Sequence, residues 1–314
     1  PKNRVKLLID RDCDGKFDTS TVFAEIPNAT AVGCYDGGVF IGAAPDIFYC
    51  KDTDGDGKAD VQKRVYTGFG SDHAGEGMIN SFRWGPDNQF YVSAGTDGGQ
   101  ISRPDSQKQA PLLMRKRVFL FDPRTLHYGY TSGGGQHGMS LDDWGRIFAC
   151  SNSDPSFLAM YDERYLARIP YVTAPPAMET ISTDAEDRKL HRISPVENWR
   201  ILRTKLRAAG QARGPVEASG SASGYFTSGT GITIYRGDAW PPEFRGNLLV
   251  SDVANNVVYR AKLFPRGVGL VARRAEQNVE FVASSDIWFR PVQFANVPDG
   301  TLYIIDMARE LIEG

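Results

Sequence analysis

Gly85-Pro86-Asp87-Asn88-Gln89-Phe90-Tyr91-Val92 sets a turn ahead of an aromatic and β-branched run, and the chain makes this move five times. Gly, Pro, Asp and Asn reverse the backbone, while Phe, Tyr and Val suit the pleated strand behind it. The other copies are Asp36-Gly37-Gly38-Val39-Phe40-Ile41, Asp142-Asp143-Trp144-Gly145-Arg146-Ile147-Phe148, Phe244-Arg245-Gly246-Asn247-Leu248-Leu249-Val250 and Pro298-Asp299-Gly300-Thr301-Leu302-Tyr303-Ile304. Val39 to Phe90 is 51 positions, Phe90 to Ile147 is 57, and Leu248 to Leu302 is 54. A four-stranded propeller blade takes roughly 40–50 residues, so each signature reads as one blade with somewhat long loops.

Further short strands, at Val5–Ile9, Val118–Phe121, Ile232–Tyr235 and Val257–Arg260, are bounded by the same turn residues. Long stretches of helical period do not dominate anywhere. The fold class expected is all-β, a single β-propeller domain over residues 1–314 with an irregular insertion at about 167–224, between Ile147 and Leu248.

A second repeat is sharper. Asp10-Arg-Asp12-Cys-Asp14-Gly15-Lys-Phe-Asp18 matches Asp52-Thr-Asp54-Gly-Asp56-Gly57-Lys-Ala-Asp60 at an offset of 42. Each lies between apolar strands, so each is expected to be the turn of an outer hairpin. Alternating carboxylates around a glycine can wrap a hard cation, which makes both loops candidate calcium sites of structural type. Thr21 and Lys63 stand where an EF-hand carries its bidentate Glu, so a complete EF-hand is excluded. The plainer reading is a turn whose Asp side chains cap backbone amides. Five signatures plus the hairpin at 4–25 imply six blades with one incomplete. Its missing strands are expected from residues 301–314 or, by preference, from a longer polypeptide.

Composition excludes several classes. Thirty-six Lys and Arg face 38 Asp and Glu, for a net charge of −2, which leaves no electrostatic footprint for nucleic acid. Apolar runs are far shorter than the roughly 20 residues that cross a bilayer. At 11% aromatic content the chain has the means to bury a core. The four cysteines form no CxxC or CxxCH; Cys34 and Cys50 are equally readable as a bridge or as small buried hydrophobes.

The segments that enter blades carry the chemistry. Asp72-His73, in the loop that runs into the strand at Phe90, pairs an imidazole with a carboxylate able to orient it for proton abstraction; the plainer reading is a surface histidine in a Gly-rich loop. Gly133-Gly134-Gly135-Gln136-His137 stands at the corresponding place in the next blade, where glycines let backbone amides approach a ligand. The last blade has Asp286, Trp288 and Arg290, and an Arg with a Trp suits a flat anionic ligand; Trp288 reads equally as core packing. His127 and His191 stand in no pattern.

At 72–99 the run DHxxG…GPDxxxYVSxGxxGG resembles the catalytic-base blade of the soluble pyrroloquinoline-quinone-dependent glucose and aldose dehydrogenases, which are six-bladed propellers. Over nearly its full length the chain resembles more closely the propeller domain of the membrane-bound dehydrogenase family of planctomycetes and their relatives. The segments that carry this are Asp52–Asp60, Ser81–Asp87, Gln136–Phe148, Tyr225–Pro241, Trp288–Val292 and Asp299–Tyr303. The resemblance implies a periplasmic or secreted protein that oxidises a sugar or polyol by hydride transfer to the quinone. A cytochrome c domain or another subunit of a larger complex is the implied partner. It gives His73 the part of base, Asp72 that of its orienting carboxylate, and Arg290 that of a cofactor contact. Gln136, His137 and Trp288 would join Arg290 around the cofactor. Two departures stand out. Gly134-Gly135 replaces an Arg-Asn pair, and Ser251-Asp252-Val253-Ala254-Asn255-Asn256 carries no quinone-contacting lysine. The rival expectation is therefore a non-catalytic propeller serving as a binding or assembly module. A propeller hydrolase or lactonase is the third, and it would want its acidic metal ligands at the channel rather than on outer hairpins.

Overall fold

The computed structural model describes residues 4–71, 77–106, 109–169, 171–214, 216 and 220–312. The chain forms two units, Pro1–Gly134 and Gly135–Gly314. The four further segments and the apolar runs of all five signatures fall on strands.

In the first unit, β1 (Arg4–Ile9) and β2 (Thr19–Glu25) form a two-stranded antiparallel sheet around the 10–18 loop. The next sheet begins β3 (Ala29–Tyr35), β4 (Gly38–Ala43), β5 (Asp46–Lys51) and β6 (Val61–Phe69), and the 52–60 loop joins its third and fourth strands. Both Asp loops are thus hairpin turns, and the second is an outer one. β7 (Asn80–Trp84) and β8 (Phe90–Ser93) open a third sheet. The chain then returns as β9 (Gly99–Ser102) and β10 (Leu112–Leu113) to the outer edge of the second, pairing β9 with β6. At that crossing Gly68 has φ +97, and a Cβ there would lie 2.1 Å from the Gln100 carbonyl, which leaves room only for glycine. β11 (Arg117–Phe121) and β12 (Tyr128–Ser132) complete the third sheet.

In the second unit, β13 (Met139–Leu141), β14 (Ile147–Ala149), β15 (Phe157–Ala159) and β16 (Met178–Thr180) form one sheet, with the short helix α1 (Glu163–Leu166) between its last two strands. Helix α2 (Asn198–Ala208) follows, inside the stretch read from sequence as irregular. β17 (Gly229–Ile234), β18 (Leu248–Asp252), β19 (Val257–Arg266) and β20 (Gly269–Arg274) form the next sheet, with β21 (Val282–Ala283) added on β19. β22 (Pro291–Asn296) and β23 (Leu302–Asp306) close the series as a two-stranded sheet, so 302–306 pair with 291–296. Among the described residues, neither this sheet nor the β1–β2 hairpin gains further strands.

Within each unit successive sheets pack face to face, which explains why their strands read as continuous apolar runs rather than alternating ones. Leu248 and Val250 of β18 point into a core shared with Phe148 and Leu158, while Leu249 points the other way, with Phe294. Between the second and third sheets Phe40, Tyr66, Phe82, Phe90, Phe119 and Phe121 form one aromatic core. Phe23, Ala24 and Ile26 seat the β1–β2 hairpin on Ile41, Ala43 and Cys50. Cys34 is exposed, Cys50 is buried, and both are free thiols, so the bridge is not formed.

Candidate active site

The first strand of each sheet in the second unit, β13, β17 and β22, lies beside the first strand of the next, and the segments entering these strands meet. The His137 carbonyl accepts from the Gly231 amide at 3.1 Å. Thr230 Oγ1 donates to the Val292 carbonyl at 3.1 Å. Gly231 has φ +64, and a Cβ on it would lie 2.7 Å from the Val292 carbonyl, so the close approach depends on its bare backbone. Gln136 is anchored through its amide to the Cys150 carbonyl at 2.9 Å, and its Oε1 accepts from the Asn152 amide at 3.4 Å. Gln136 and His137 are half-buried. Trp288 is 50% exposed, not core, and its amide donates to Asp286 Oδ1 at 2.9 Å.

Arg290 has a different task from the one the resemblance implies. Its side chain is fully buried. Nη1 donates to the Val253 carbonyl at 2.8 Å and Nε to that of Arg309 at 3.2 Å. Nη2 donates to Glu197 Oε1 at 2.8 Å and to the Glu310 carbonyl at 2.6 Å. Each guanidinium nitrogen therefore donates to a protein oxygen, four of the five N–H groups being used, and Arg290 serves first as a structural tie. Glu197 also takes Arg192 Nη1 at 3.0 Å on Oε2. Burial pushes the Glu197 carboxyl up, but Arg290 and Arg192 outweigh it and hold it below the ordinary glutamate range.

The turn lacking the quinone-contacting lysine is packed just as closely. Asp252 is wholly buried and accepts the amides of Thr227 and Ser228 on one oxygen, and those of Ala254 and Asn255 on the other. Asn256 donates to the carbonyls of Ile287 and Phe289 and accepts from Ser194 Oγ at 2.6 Å. A polar hub thus fixes the entries to β17 and β22 to α2's N-terminal segment. The sequence carried no motif for it.

Asp72 and His73 lie outside the described residues. They stand in the segment that leads into β7, the first strand of its sheet. Within that strand sits Arg83, half-buried, where burial pushes its guanidinium down to about 10. Sequence reasoning passed over it; the strand reads Asn80-Ser81-Phe82-Arg83-Trp84, in which nothing singles Arg83 out.

The Asp loops bring together Asp10, Asp12 and Asp18 in one cluster and Asp52, Asp54 and Asp56 in the other, with carboxylate oxygens within 4.8 Å of one another. Asp14 and Asp60 fall outside these trios. Asp14 Oδ1 caps the Lys16 amide at 2.8 Å, and Asp60 Oδ2 takes the amide and hydroxyl of Thr53 at 2.7 and 3.0 Å. Asp52 itself accepts from the amides of Gly55 and Gly57, which hold its carboxyl below the usual range. Amide capping and a carboxylate cage are thus built from the same residues, and the oxygen set fits calcium chemistry.

With fold and site in view, the class is that of the β-propellers. An oxidoreductase from Thermus thermophilus, described as a glucose dehydrogenase, matches with a TM-score of 0.51 at 14% identity, over 96% of this chain and 84% of that one. A second glucose dehydrogenase matches with a TM-score of 0.50 at 14% identity, over 96% and 87%. A Trichoderma reesei carbohydrate-active enzyme of family AA12 gives 0.50 at 11% identity, over 96% and 84%. At such identities the likeness is one of fold. No curated protein matches the chain. The chain belongs to the family DUF7133, described as a domain of unknown function, whose model matches residues 1–314.

Proposed function

We propose that the chain is an oxidoreductase-like propeller that oxidises a sugar or polyol where the first strands of its sheets begin. The observation that carries this is Asp72-His73 in the segment leading into β7, the strand that also holds Arg83. His73 takes the proton of the substrate hydroxyl, and Asp72 fixes the imidazole tautomer that makes this possible. Glucose dehydrogenases share the fold, which supports a sugar-type substrate. The expected hydride acceptor is pyrroloquinoline quinone. Calcium in the 52–60 and 10–18 loops is structural. We assign the domain to the periplasm or the extracellular space, beside a cytochrome c domain or another subunit. Among the described residues no helix is long and apolar enough to cross a membrane.

The buried guanidinium of Arg290, tied to four protein oxygens, favours a second reading, a propeller that binds or assembles without catalysis. One experiment separates the two. The purified protein is given quinone and calcium, bound-quinone absorbance is recorded, and turnover is assayed on aldoses and polyols. His73→Ala is expected to lower turnover by about 10²–10⁴ at an unchanged melting temperature. Protein that binds no quinone and turns over no aldose or polyol would leave the binding module as the answer.

A further inference from the structure

Most of the 52–60 loop stands in solvent; Asp52, Gly57 and Ala59 are its half-buried residues. Gly57 and Ala59 touch the β1–β2 hairpin. The Ala59 amide donates to the Phe23 carbonyl at 2.9 Å, and its side chain packs on the cluster of Phe23, Ala24, Ile26 and Cys50. Gly57 lies beside Thr21, so that a Cβ built on it would stand 3.5 Å from Thr21 Cγ2. The 10–18 loop turns inward instead: the amides of Arg11, Cys13, Asp14, Gly15 and Lys16 donate to carboxylates of that same loop.

The hairpin's own footing is narrow. Five of the six β1 residues are exposed, and the seat is made by Phe23, Ala24 and Ile26 on Ile41, Ala43 and Cys50. Beside that seat a cavity of about 800 Å³ opens between Leu7 and Phe23, residues 34–39 and Asp52–Gly55. Segments with few buried apolar contacts open locally, ahead of the fold as a whole. Cys50 lies fully buried under the seat and is therefore its reporter.

Asp52, Asp54 and Asp56 hold carboxylate oxygens within 4.8 Å of one another, where like charges repel unless a cation intervenes. A cation that draws them together stiffens the run that ends on Gly57 and Ala59. Whatever binds the seated arrangement more tightly than the open one shifts the balance toward it. Resting on the calcium reading of this loop, we propose that 52–60 is a calcium-operated latch. The bound cation fixes the turn that presents Gly57 and Ala59 to the hairpin, and its removal frees the hairpin while the rest of the chain stays folded.

The test is the rate at which iodoacetamide labels each cysteine of the full chain, read by mass spectrometry in calcium and in chelator. With calcium at about a hundred times its dissociation constant, Cys50 should label up to about 100-fold more slowly than in chelator, and at least about tenfold more slowly. Cys150, buried in the other unit, should stay protected in both. Asp54→Ala, at an exposed position, should label fast at Cys50 in calcium and chelator alike, while Asp12→Ala keeps the calcium effect. Calcium binding to the same samples is measured by isothermal titration. Cys50 protected in chelator although calcium binds, or Cys50 and Cys150 exposed together, would overturn the latch and leave the cation site standing. Calcium dependence lost in Asp12→Ala but kept in Asp54→Ala would place the control in the hairpin's own loop and overturn it equally. Absence of bound calcium would remove the cation site and the latch with it.

Discussion

Replacing Arg290 by methionine should cost stability rather than cofactor affinity, and the size of the loss follows from its surroundings. The substitution keeps an apolar stem but removes donors to Glu197 Oε1 and to the carbonyls of Val253, Arg309 and Glu310. Removing one partner of a buried ion pair typically costs about 3–5 kcal/mol. Glu197 keeps Arg192, which places the expected value toward the lower end. At ~2 cal/mol/K of unfolding entropy per residue, that loss lowers the melting temperature by about 5–8 °C if the chain unfolds as a whole, and by about 8–13 °C if the 135–314 unit melts alone. The pH dependence gives an independent check. Because Glu197 is held below its ordinary range, its contribution is present above the unfolded pKa and is lost as pH falls through the folded one. In Arg290→Met the carboxyl moves back up, so acid unfolding should begin at higher pH. Scanning calorimetry from pH 3 to 7, compared with wild type, measures both effects. A variant that melts like wild type but no longer binds added quinone would refute this reasoning and return Arg290 to the cofactor.

If the Asp52–Asp60 loop holds calcium, chelation should lower the melting temperature, since a ligand present at a hundred times its dissociation constant stabilises by about 2.7 kcal/mol. Asp54→Ala should abolish most of that sensitivity, and a melting curve indifferent to chelator would leave amide capping alone. Phe121→Ala, which removes a fully buried ring in contact with Phe40, Tyr66, Phe82, Phe90 and Phe119, should cost about 3–5 kcal/mol in denaturant unfolding. A loss below about 1 kcal/mol would mean that the second and third sheets do not share this core. Native protein should react with a thiol reagent promptly at Cys13 and Cys34 only, because Cys50 and Cys150 are buried, which pushes their thiols up to about 11 and about 12. Mass spectrometry of the labelled sites would expose the error if Cys50 reacted first.

What was legible in the sequence is what local chemistry decides. Turn residues before Val39, Phe90, Ile147, Leu248 and Leu302 set the reversals, and burial on both faces wrote the strands at Val39, Phe90, Ile147 and Leu248 as apolar runs. Helix α2 went unread because its basic residues, Arg200, Arg203, Lys205 and Arg207, crowd the pattern. Trp199, Leu202 and Leu206 nevertheless keep helical spacing ahead of Gly210. The structural task of Arg290 went unread for a deeper reason. Three of its partners are backbone carbonyls, which leave no trace in residue identity, and the fourth, Glu197, is 93 positions away. A guanidinium waiting for an anionic ligand and one tied to the chain's own oxygens look identical on paper. The Asp loops show the same ambiguity, since an aspartate that caps an amide is the aspartate a cation would choose.

The excursion of β9 and β10 has a bearing on inheritance. The backbone visits the second sheet, then the third, then the second again, and finishes in the third. No single cut separates the two sheets with both complete. The shortest stretch containing both runs from the start of β3 at 29 to the end of β12 at 132. Where other blades can be duplicated, exchanged or lost one at a time, these two travel as a pair, and recombination within 29–132 would leave an open ladder on both sides of the break.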